Sequence, residues 1–323
     1  MEVLILEEIN NPTTDFYIIP FLNIKKLSYS KLRLYEIKKF QPNKNIIIFI
    51  VRYLTKDVIH WVERYRQLIE QIYYLMDDDL FDLKGLKELP LRYALKIFNK
   101  TLRFKNWIIK NAQILVSNDY LKEKYQQYNP FVLPPYPAYL DFDKLSLNPI
   151  ITKPVCFYHA TASHKKEFFW LKDLLESLQQ EDLLFELVLD KKIANLYKGL
   201  KNVWLVNTMK WQEYLQFSAL NYRHIGLALL LDSPFNKGRS YVKFFNIMRS
   251  RAVGIYSEHF PLARLIQEFQ GGVVLPMEVE AWKSAILELA GSSERREKLF
   301  EGAKKLLFHL KEKALKTYQK IPI

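Results

Sequence analysis

His224-Ile-Gly-Leu-Ala-Leu-Leu-Leu-Asp-Ser-Pro-Phe-Asn-Lys-Gly-Arg-Ser-Tyr-Val-Lys243 is the most informative stretch of this 323-residue chain. From Ile225 to Leu231 every residue is apolar or glycine. A strand buried on both faces of a parallel sheet needs that composition. A loop with Pro234, Asn236, Lys237, Gly238 and Arg239 follows, and a helix is predicted to begin at or near Ser240. A helix N-terminus offers unpaired backbone N–H groups and the positive end of the helix dipole. Ser240 can cap that helix and bond a phosphate oxygen. Arg239 can contact phosphate through two N–H groups, Lys243 lies one turn further on the same face, and Lys237 adds charge at the mouth. The same residues would also suit a capped surface helix with solvated cations.

The pattern extends in both directions. Upstream, strands are predicted at 3–6, 45–51, 71–76 and 112–117, with helices at 57–70, 88–110 and 119–127. Downstream, strands at 155–159, 184–189, 203–206, 224–231, 252–256 and 272–275 alternate with helices at 166–179, 211–219, 241–250 and 261–269, and from 278 onward. Short apolar runs separated by amphipathic stretches are the signature of a doubly wound α/β domain. Asn129-Pro-Phe-Val-Leu-Pro-Pro-Tyr-Pro137 interrupts the series, because so many prolines cannot form a helix or a central strand. The chain is therefore read as α/β, with two Rossmann-like doubly wound domains, residues 1–145 and 146–323, facing each other across a cleft where ligands of such sheets bind.

The net charge is +13, which suits a phosphorylated substrate, an anionic membrane surface or nucleic acid. No zinc finger, helix-turn-helix or aromatic RNA-binding signature is recognisable, so nucleic acid is not an expected partner. Cys156 is the single cysteine, which excludes an internal disulfide and a cysteine-based zinc site. Its apolar neighbours mark it as a core thiol. Met1-Glu-Val-Leu-Ile-Leu-Glu-Glu8 lacks the basic start of a signal peptide, and no apolar run is long enough to span a bilayer. A cytoplasmic protein is expected, with attachment to the inner face of a membrane left open. The basic, amphipathic stretch 295–320 could lie on a membrane, but is read as packing on its own chain.

The stretch 224–243, followed by Arg251-Ala-Val-Gly-Ile-Tyr-Ser257, resembles the donor-binding domain of GT-B glycosyltransferases. Those enzymes show an apolar strand, then P-F-N-x-G-x-S-x-x-K, a helix, a small-residue strand and a Ser. Gly272-Val-Val-Leu-Pro276 with Trp282 is similar to their next element. Leu115-Val-Ser-Asn-Asp-Tyr-Leu-Lys122, Val132-Leu-Pro-Pro-Tyr-Pro137 and Phe142 are similar to the link between their domains. Tyr158-His-Ala-Thr-Ala-Ser-His-Lys-Lys-Glu167 looks like the first donor-domain loop, whose closing lysine, here Lys165 or Lys166, contacts donor phosphates. The likeness covers roughly residues 110–300. It implies an acceptor-binding N-terminal domain and a donor-binding C-terminal domain, whose last helix can pack back on the first. It also implies transfer of a hexosyl or pentosyl group from a phosphate-activated donor, a nucleotide sugar, to a hydroxyl of a cell-surface glycan or lipid-linked acceptor, as in polysaccharide biosynthesis. No cofactor or metal is implied. Two departures stand out. The E-x7-E pair of many retaining members is absent, and Asn10-Asn-Pro-Thr-Thr14 replaces a glycine-rich loop after the first strand. A non-nucleotide donor such as a phosphoribosyl diphosphate, or a non-catalytic polyanion-binding protein, remain alternative readings.

Further candidates complete the site. Asp77-Asp-Asp79 follows a predicted strand, where a carboxylate can act as general base towards an acceptor hydroxyl or hold a divalent cation. Three adjacent acids repel one another, so at least one is expected with a raised pKa. His159 is a candidate base, and His164 a candidate phosphate ligand beside Lys165, Lys166, Asn236, Lys237, Arg239, Ser240 and Lys243. Arg52, Tyr53, Thr161, Ser163 and Glu258 are candidate contacts to donor sugar or acceptor. Ser163 with Glu167 also has nearly the spacing of a helix-capping box.

Overall fold

The computed structural model describes residues 2–140 and 152–323. The chain forms two compact units. Unit 1 is Met1–Ala138, Ser233–Ser240 and Lys311–Ile323, and unit 2 is Tyr139–Asp232 and Tyr241–Leu310. Phe142 and the expected 145/146 boundary lie outside the described residues.

Unit 1 is built on strands β1 (Glu2–Glu7), β2 (Tyr29–Arg33), β3 (Ile46–Val51), β4 (Ile69–Met76), β5 (Gln113–Val116) and β6 (Phe131–Val132). They form one sheet in the order β2-β1-β3-β4-β5-β6, every pair parallel. All six residues of β3 are buried, which its β-branched run permits because helices cover both faces. The helices are α1 (Ile19–Ile24), entered through a π-helical turn, α2 (Lys56–Arg64), α3 (Leu83–Leu86), α4 (Leu91–Lys100), α5 (Lys105–Asn111) and α6 (Asp119–Lys124). The proline-rich segment supplies only β6, two residues at the sheet edge, where missing N–H groups are tolerated.

Two expectations change here. The helix expected over 57–70 stops at Arg64, and β4 starts at Ile69, because Ile69 is buried in the core while Arg64 and Glu70 remain exposed. The single helix expected over 88–110 is broken into α4 and α5. Pro90 stands at the start of α4, and Thr101 leaves helical geometry with its buried hydroxyl donating to the Arg52 carbonyl at 2.7 Å.

Unit 2 carries β7 (Val155–His159), β8 (Leu184–Leu189), β9 (Val203–Asn207), β10 (Ile225–Ala228), β11 (Val253–Ser257) and β12 (Val273–Leu275). Their order is β12-β11-β10-β7-β8-β9, again all parallel. Helices α7 (Lys165–Ser177), α8 (Lys191–Ala194) and α9 (Trp211–Ser218) follow the first three strands. The loop expected after β10 contains a short helix, α10 (Pro234–Lys237), capped by Ser233 Oγ accepting from the Asn236 N–H at 3.2 Å. The next helix, α11 (Val242–Arg249), starts two residues beyond Ser240 and has no side-chain cap. Ser240 therefore does not cap it. Helices α12 (Ala263–Glu268), α13 (Val279–Gly291) and α14 (Ser293–Gln319) complete the chain. Ala303, Leu306, Leu310, Ala314 and Tyr318 form the buried stripe of α14, and Tyr318 donates to the Pro134 carbonyl at 2.8 Å within unit 1. None of the helices among the described residues is long and apolar enough to cross a membrane.

Phe235 of α10 belongs to the hydrophobic core of unit 1 and is 1% exposed. Phe235→Ala should cost about 3–5 kcal/mol in urea-induced unfolding, the range for emptying a buried aromatic site. Phe308→Ala, at a position 62% exposed, should change stability by no more than about 0.5 kcal/mol.

Candidate active-site residues at the strand ends

Open parallel sheets bind ligands beyond the carboxyl ends of their strands, where the strand order reverses. In unit 1 that point lies between β1 and β3, and in unit 2 between β7 and β10. The candidate residues divide into one set on each unit.

In unit 1 the strand ends carry a buried ionic network. Arg52, the first residue after β3, has φ +63°, a left-handed conformation costing a non-glycine residue about 1–2 kcal/mol. Its carbonyl accepts from the hydroxyls of Tyr74 at 2.6 Å and Thr101 at 2.7 Å, which holds the turn. The guanidinium donates to Asp77, to Asp78 Oδ2 at 3.0 Å and to the Tyr93 hydroxyl at 2.8 Å. Thr13, in the loop that replaces a glycine-rich turn, donates to Asp77 Oδ2 at 2.5 Å. Burial raises the Asp77 carboxyl pKa, and Arg52 opposes that rise. Burial alone would lower the Arg52 pKa, but Asp77 leads the groups that lift it well above its usual value.

Asp79 is fully buried and accepts from Tyr125 and from Lys124, the latter at 2.5 Å. Its pKa is also raised chiefly by burial. Desolvation, rather than mutual repulsion, is thus the main influence on Asp77 and Asp79. Asp78 differs from both, since its side chain is bonded to Arg52 through Oδ2 alone. Among the described residues, the second oxygen of Asp78 is the carboxylate acceptor of the triplet with no hydrogen bond from this network. Tyr53 is buried at 8% exposure, with Lys96 Nζ 4.5 Å from its ring centroid.

The segment Ser233–Ser240 packs beside this network within unit 1. Asn118 caps α6 through Oδ1 and donates through Nδ2 to the carbonyls of Gly238 and Arg239, both at 3.2 Å. A Cβ on Gly238 would lie 2.9 Å from the Asp79 Cβ, so only glycine brings this backbone so close to the acids. Arg239 donates to Asn236 Oδ1 at 2.8 Å and lies over the Phe235 ring, 5.1 Å from its centroid. Tyr17 donates to Ser240 Oγ. Lys237 closes α10.

In unit 2 the end of β7 is tied down by a second buried network. His159 Nε2 lies 2.8 Å from Glu186 Oε1, and Nδ1 lies 3.1 Å from the Tyr214 hydroxyl. Arg223 and Tyr222 both donate to Glu186. Burial lowers the His159 pKa to about 4, with Arg223 adding to the effect and Glu186 opposing it. Burial would raise Glu186, but its bonds from His159 and Arg223 outweigh that and hold it at about 2. At neutral pH the ring is therefore neutral and Glu186 ionised. Nε2–H donates to the carboxylate and Nδ1 accepts from Tyr214, so neither ring nitrogen is left for a substrate proton.

The rest of this set is more open. Thr161 and Ser163 hydroxyls are 3.0 Å apart, and the first helical residues of α7 are the exposed Lys165 and Lys166. Ser163 does not cap α7, whose N-cap position is His164. His164 Nδ1 lies 3.9 Å from Glu167. Lys243, in the first turn of α11, places Nζ 4.2 Å from the Tyr158 ring centroid. Glu258 is exposed just past β11, 3.7 Å from His259. Among the described residues no group of three or more His, Cys, Asp or Glu side chains could hold a metal ion.

Sequence reasoning did not single out Thr13, Tyr93, Asn118, Lys124, Tyr125, Glu186, Tyr214 or Arg223. A signal existed for Glu186, an acid inside the otherwise apolar strand Leu184-Phe-Glu-Leu-Val-Leu189, since a charge there demands a partner. The others are recognisable only once the chain is folded.

The unit 2 network sets an acid sensitivity. The unfolded chain protonates His159 near pH 6.5, whereas the folded chain resists until about pH 4, so stability falls as pH drops through that window. Glu186 adds stability above its ordinary value of 4.5, and that contribution disappears as pH falls towards about 2. The melting temperature should fall steadily from pH 6.5 to pH 4, and His159→Gln should flatten that decline without flattening the one below it.

No protein-family model matches the chain, and no curated protein matches it. Solved structures do. TarM aligns with TM-score 0.55 at 13% identity over 89% of this chain, which spans 56% of TarM's own length. Sucrose-phosphate synthase from Thermosynechococcus elongatus aligns with TM-score 0.62 at 12% identity over 98% of this chain and 96% of that one. Anabaena Alr3699/HepE in complex with UDP-glucose aligns with TM-score 0.62 at 12% identity, over 99% and 100% of the two chains. With two all-parallel, six-stranded Rossmann-like units and these matches, the chain has the GT-B glycosyltransferase fold.

Proposed function

We propose that this chain is a glycosyltransferase that moves a sugar from a phosphate-activated donor, a nucleotide sugar, to a hydroxyl of a cell-surface glycan or a lipid-linked acceptor. The observation that carries the reading is the GT-B fold combined with the cation-rich stretch Asn236–Lys243 directly after a central strand. The similar HepE structure, in complex with UDP-glucose, supports a nucleotide-sugar donor. The donor's anomeric carbon–oxygen bond breaks, its phosphate leaves with the bonding electrons, and the acceptor oxygen takes its place on the sugar. Arg239 and Ser240, both in unit 1, stabilise the charge growing on the leaving phosphate. Asp78 takes the acceptor proton, because its free oxygen is the least committed of the three aspartates. Asp77 and Arg52 hold Asp78 in place, and His159 positions the loop that carries Thr161 and Ser163. The net charge of +13 suits work beside an anionic membrane on the cytoplasmic side.

A second reading keeps the same phosphate site with a non-nucleotide sugar phosphate as donor. The absence of the E-x7-E pair, which holds the donor in many retaining relatives, is what favours it.

A thermal-shift panel of nucleoside diphosphates, CMP, their sugars and phosphoribosyl diphosphate separates the two readings, because a ligand of the folded state raises its melting temperature. A nucleoside diphosphate should give the largest shift, and Arg239→Ala should weaken its binding at least about tenfold. Undiminished binding by that variant would remove the phosphate site from this stretch. In a radiolabelled-sugar transfer assay, Asp78→Asn should retain donor affinity and lose about 10²–10⁴-fold in turnover. Full turnover in that variant would exclude Asp78 as the base.

A further inference from the structure

Helix α4 buries one face and leaves a second apolar face uncovered. Ile97 is fully buried, and Tyr93 and Ala94 pack against the unit 1 core. Leu91, Leu95 and Phe98 are 74%, 50% and 45% exposed. Their spacing of four and then three residues places them on one side of the helix, along about 10 Å of its length. Large apolar side chains scattered singly over a surface need no explanation, but a continuous stripe on one helix does. The contrast with α14 is informative, because the buried stripe of that helix is occupied by its own chain.

The surroundings of the stripe are basic. Between residues 83 and 105 the chain carries Lys84, Lys87, Arg92, Lys96, Lys100, Arg103 and Lys105 against a single acid, Glu88. Glu8 neutralises part of this through its ion pairs with Lys96 and Lys100. Lys84, Lys87, Arg92 and Arg103 remain exposed. An apolar strip fringed by cations is the chemistry of a helix that lies in the headgroup region of a bilayer, apolar side down and cations on lipid phosphates. A second copy of this chain would bring like charges together on the same patch, which disfavours self-association there.

We propose that the Leu91–Leu95–Phe98 face of α4 docks this chain on an anionic lipid bilayer. The inference deepens the reading of a membrane-side acceptor by naming the surface that meets the membrane. Its test contains no sugar donor, so failure of docking leaves the transfer chemistry standing, and failure of transfer leaves docking standing.

The experiment is co-sedimentation of the full chain with phosphatidylcholine vesicles, with and without phosphatidylglycerol. The protein should sediment with the anionic vesicles, much less with the neutral ones, and less again at high salt. The combined variant Leu91→Ser, Leu95→Ser, Phe98→Ser should lose at least about tenfold in partitioning while melting near the wild-type temperature. Should that variant fail to fold, Phe98→Trp serves instead, and its fluorescence should shift to the blue and be quenched by brominated lipid. Equal sedimentation of the folded triple variant, no binding of the wild type to anionic vesicles, or no lipid quenching of Trp at 98 would overturn the proposal. So would a wild-type dimer that the triple variant abolishes, which would assign the face to self-association.

Discussion

Two carboxylates stand at the buried end of β4, and a folded chain tolerates them there only because Arg52 spans both. Removing water from charged groups is costly unless the geometry of the pair is good and the remaining polar atoms are bonded. Here Thr13 and Tyr93 complete the network, drawing in the loop after β1 and the helix α4. Arg52 itself reaches the acids from a left-handed turn that two hydroxyls hold in place. Strain of that kind persists only where surrounding structure enforces it, and it commonly accompanies functional sites. Asp78 thereby becomes a fixed carboxylate, bonded among the described residues through one oxygen, at the strand end where a Rossmann-like sheet places its chemistry.

The segment after β10 depends on the same region. Phe235 inserts into the unit 1 core, Asn118 holds the carbonyls of Gly238 and Arg239, and Gly238 lies against Asp79. Lys237 and Arg239 are thus carried on a segment packed against the core of unit 1. In unit 2, Glu186 plays a part comparable to that of Arg52. It gathers His159, Tyr222 and Arg223, and thereby fixes the end of β7 and the start of β10. The resulting neutral, doubly bonded imidazole explains why a histidine at a strand end need not act as a base.

The α/β class, most of the strands among the described residues and the basic stretch after β10 are legible in the amino-acid order, whereas β2 and β6 are not. Apolar runs such as Ile46-Ile-Ile-Phe-Ile-Val51 can be satisfied only inside a sheet covered on both faces, and this constraint is local. Helix limits were less legible. The break at Thr101 depends on a hydroxyl finding the Arg52 carbonyl, and the early start of β4 depends on Ile69 reaching the core. Neither partner is near in sequence.

The sequence alone determined that this chain builds two parallel sheets, and that a basic stretch follows the fourth strand of the second sheet, because backbone periodicity and residue type act over short distances. Tertiary structure alone decided which acid keeps a free oxygen, that His159 is neutral and occupied, and that Phe235 anchors its segment in unit 1. These outcomes depend on burial and on partners 25 to 120 residues away, as in Arg52 with Asp77, His159 with Glu186, and Asn118 with Gly238. Desolvation and pairing are properties of the folded surroundings, and no local pattern encodes them.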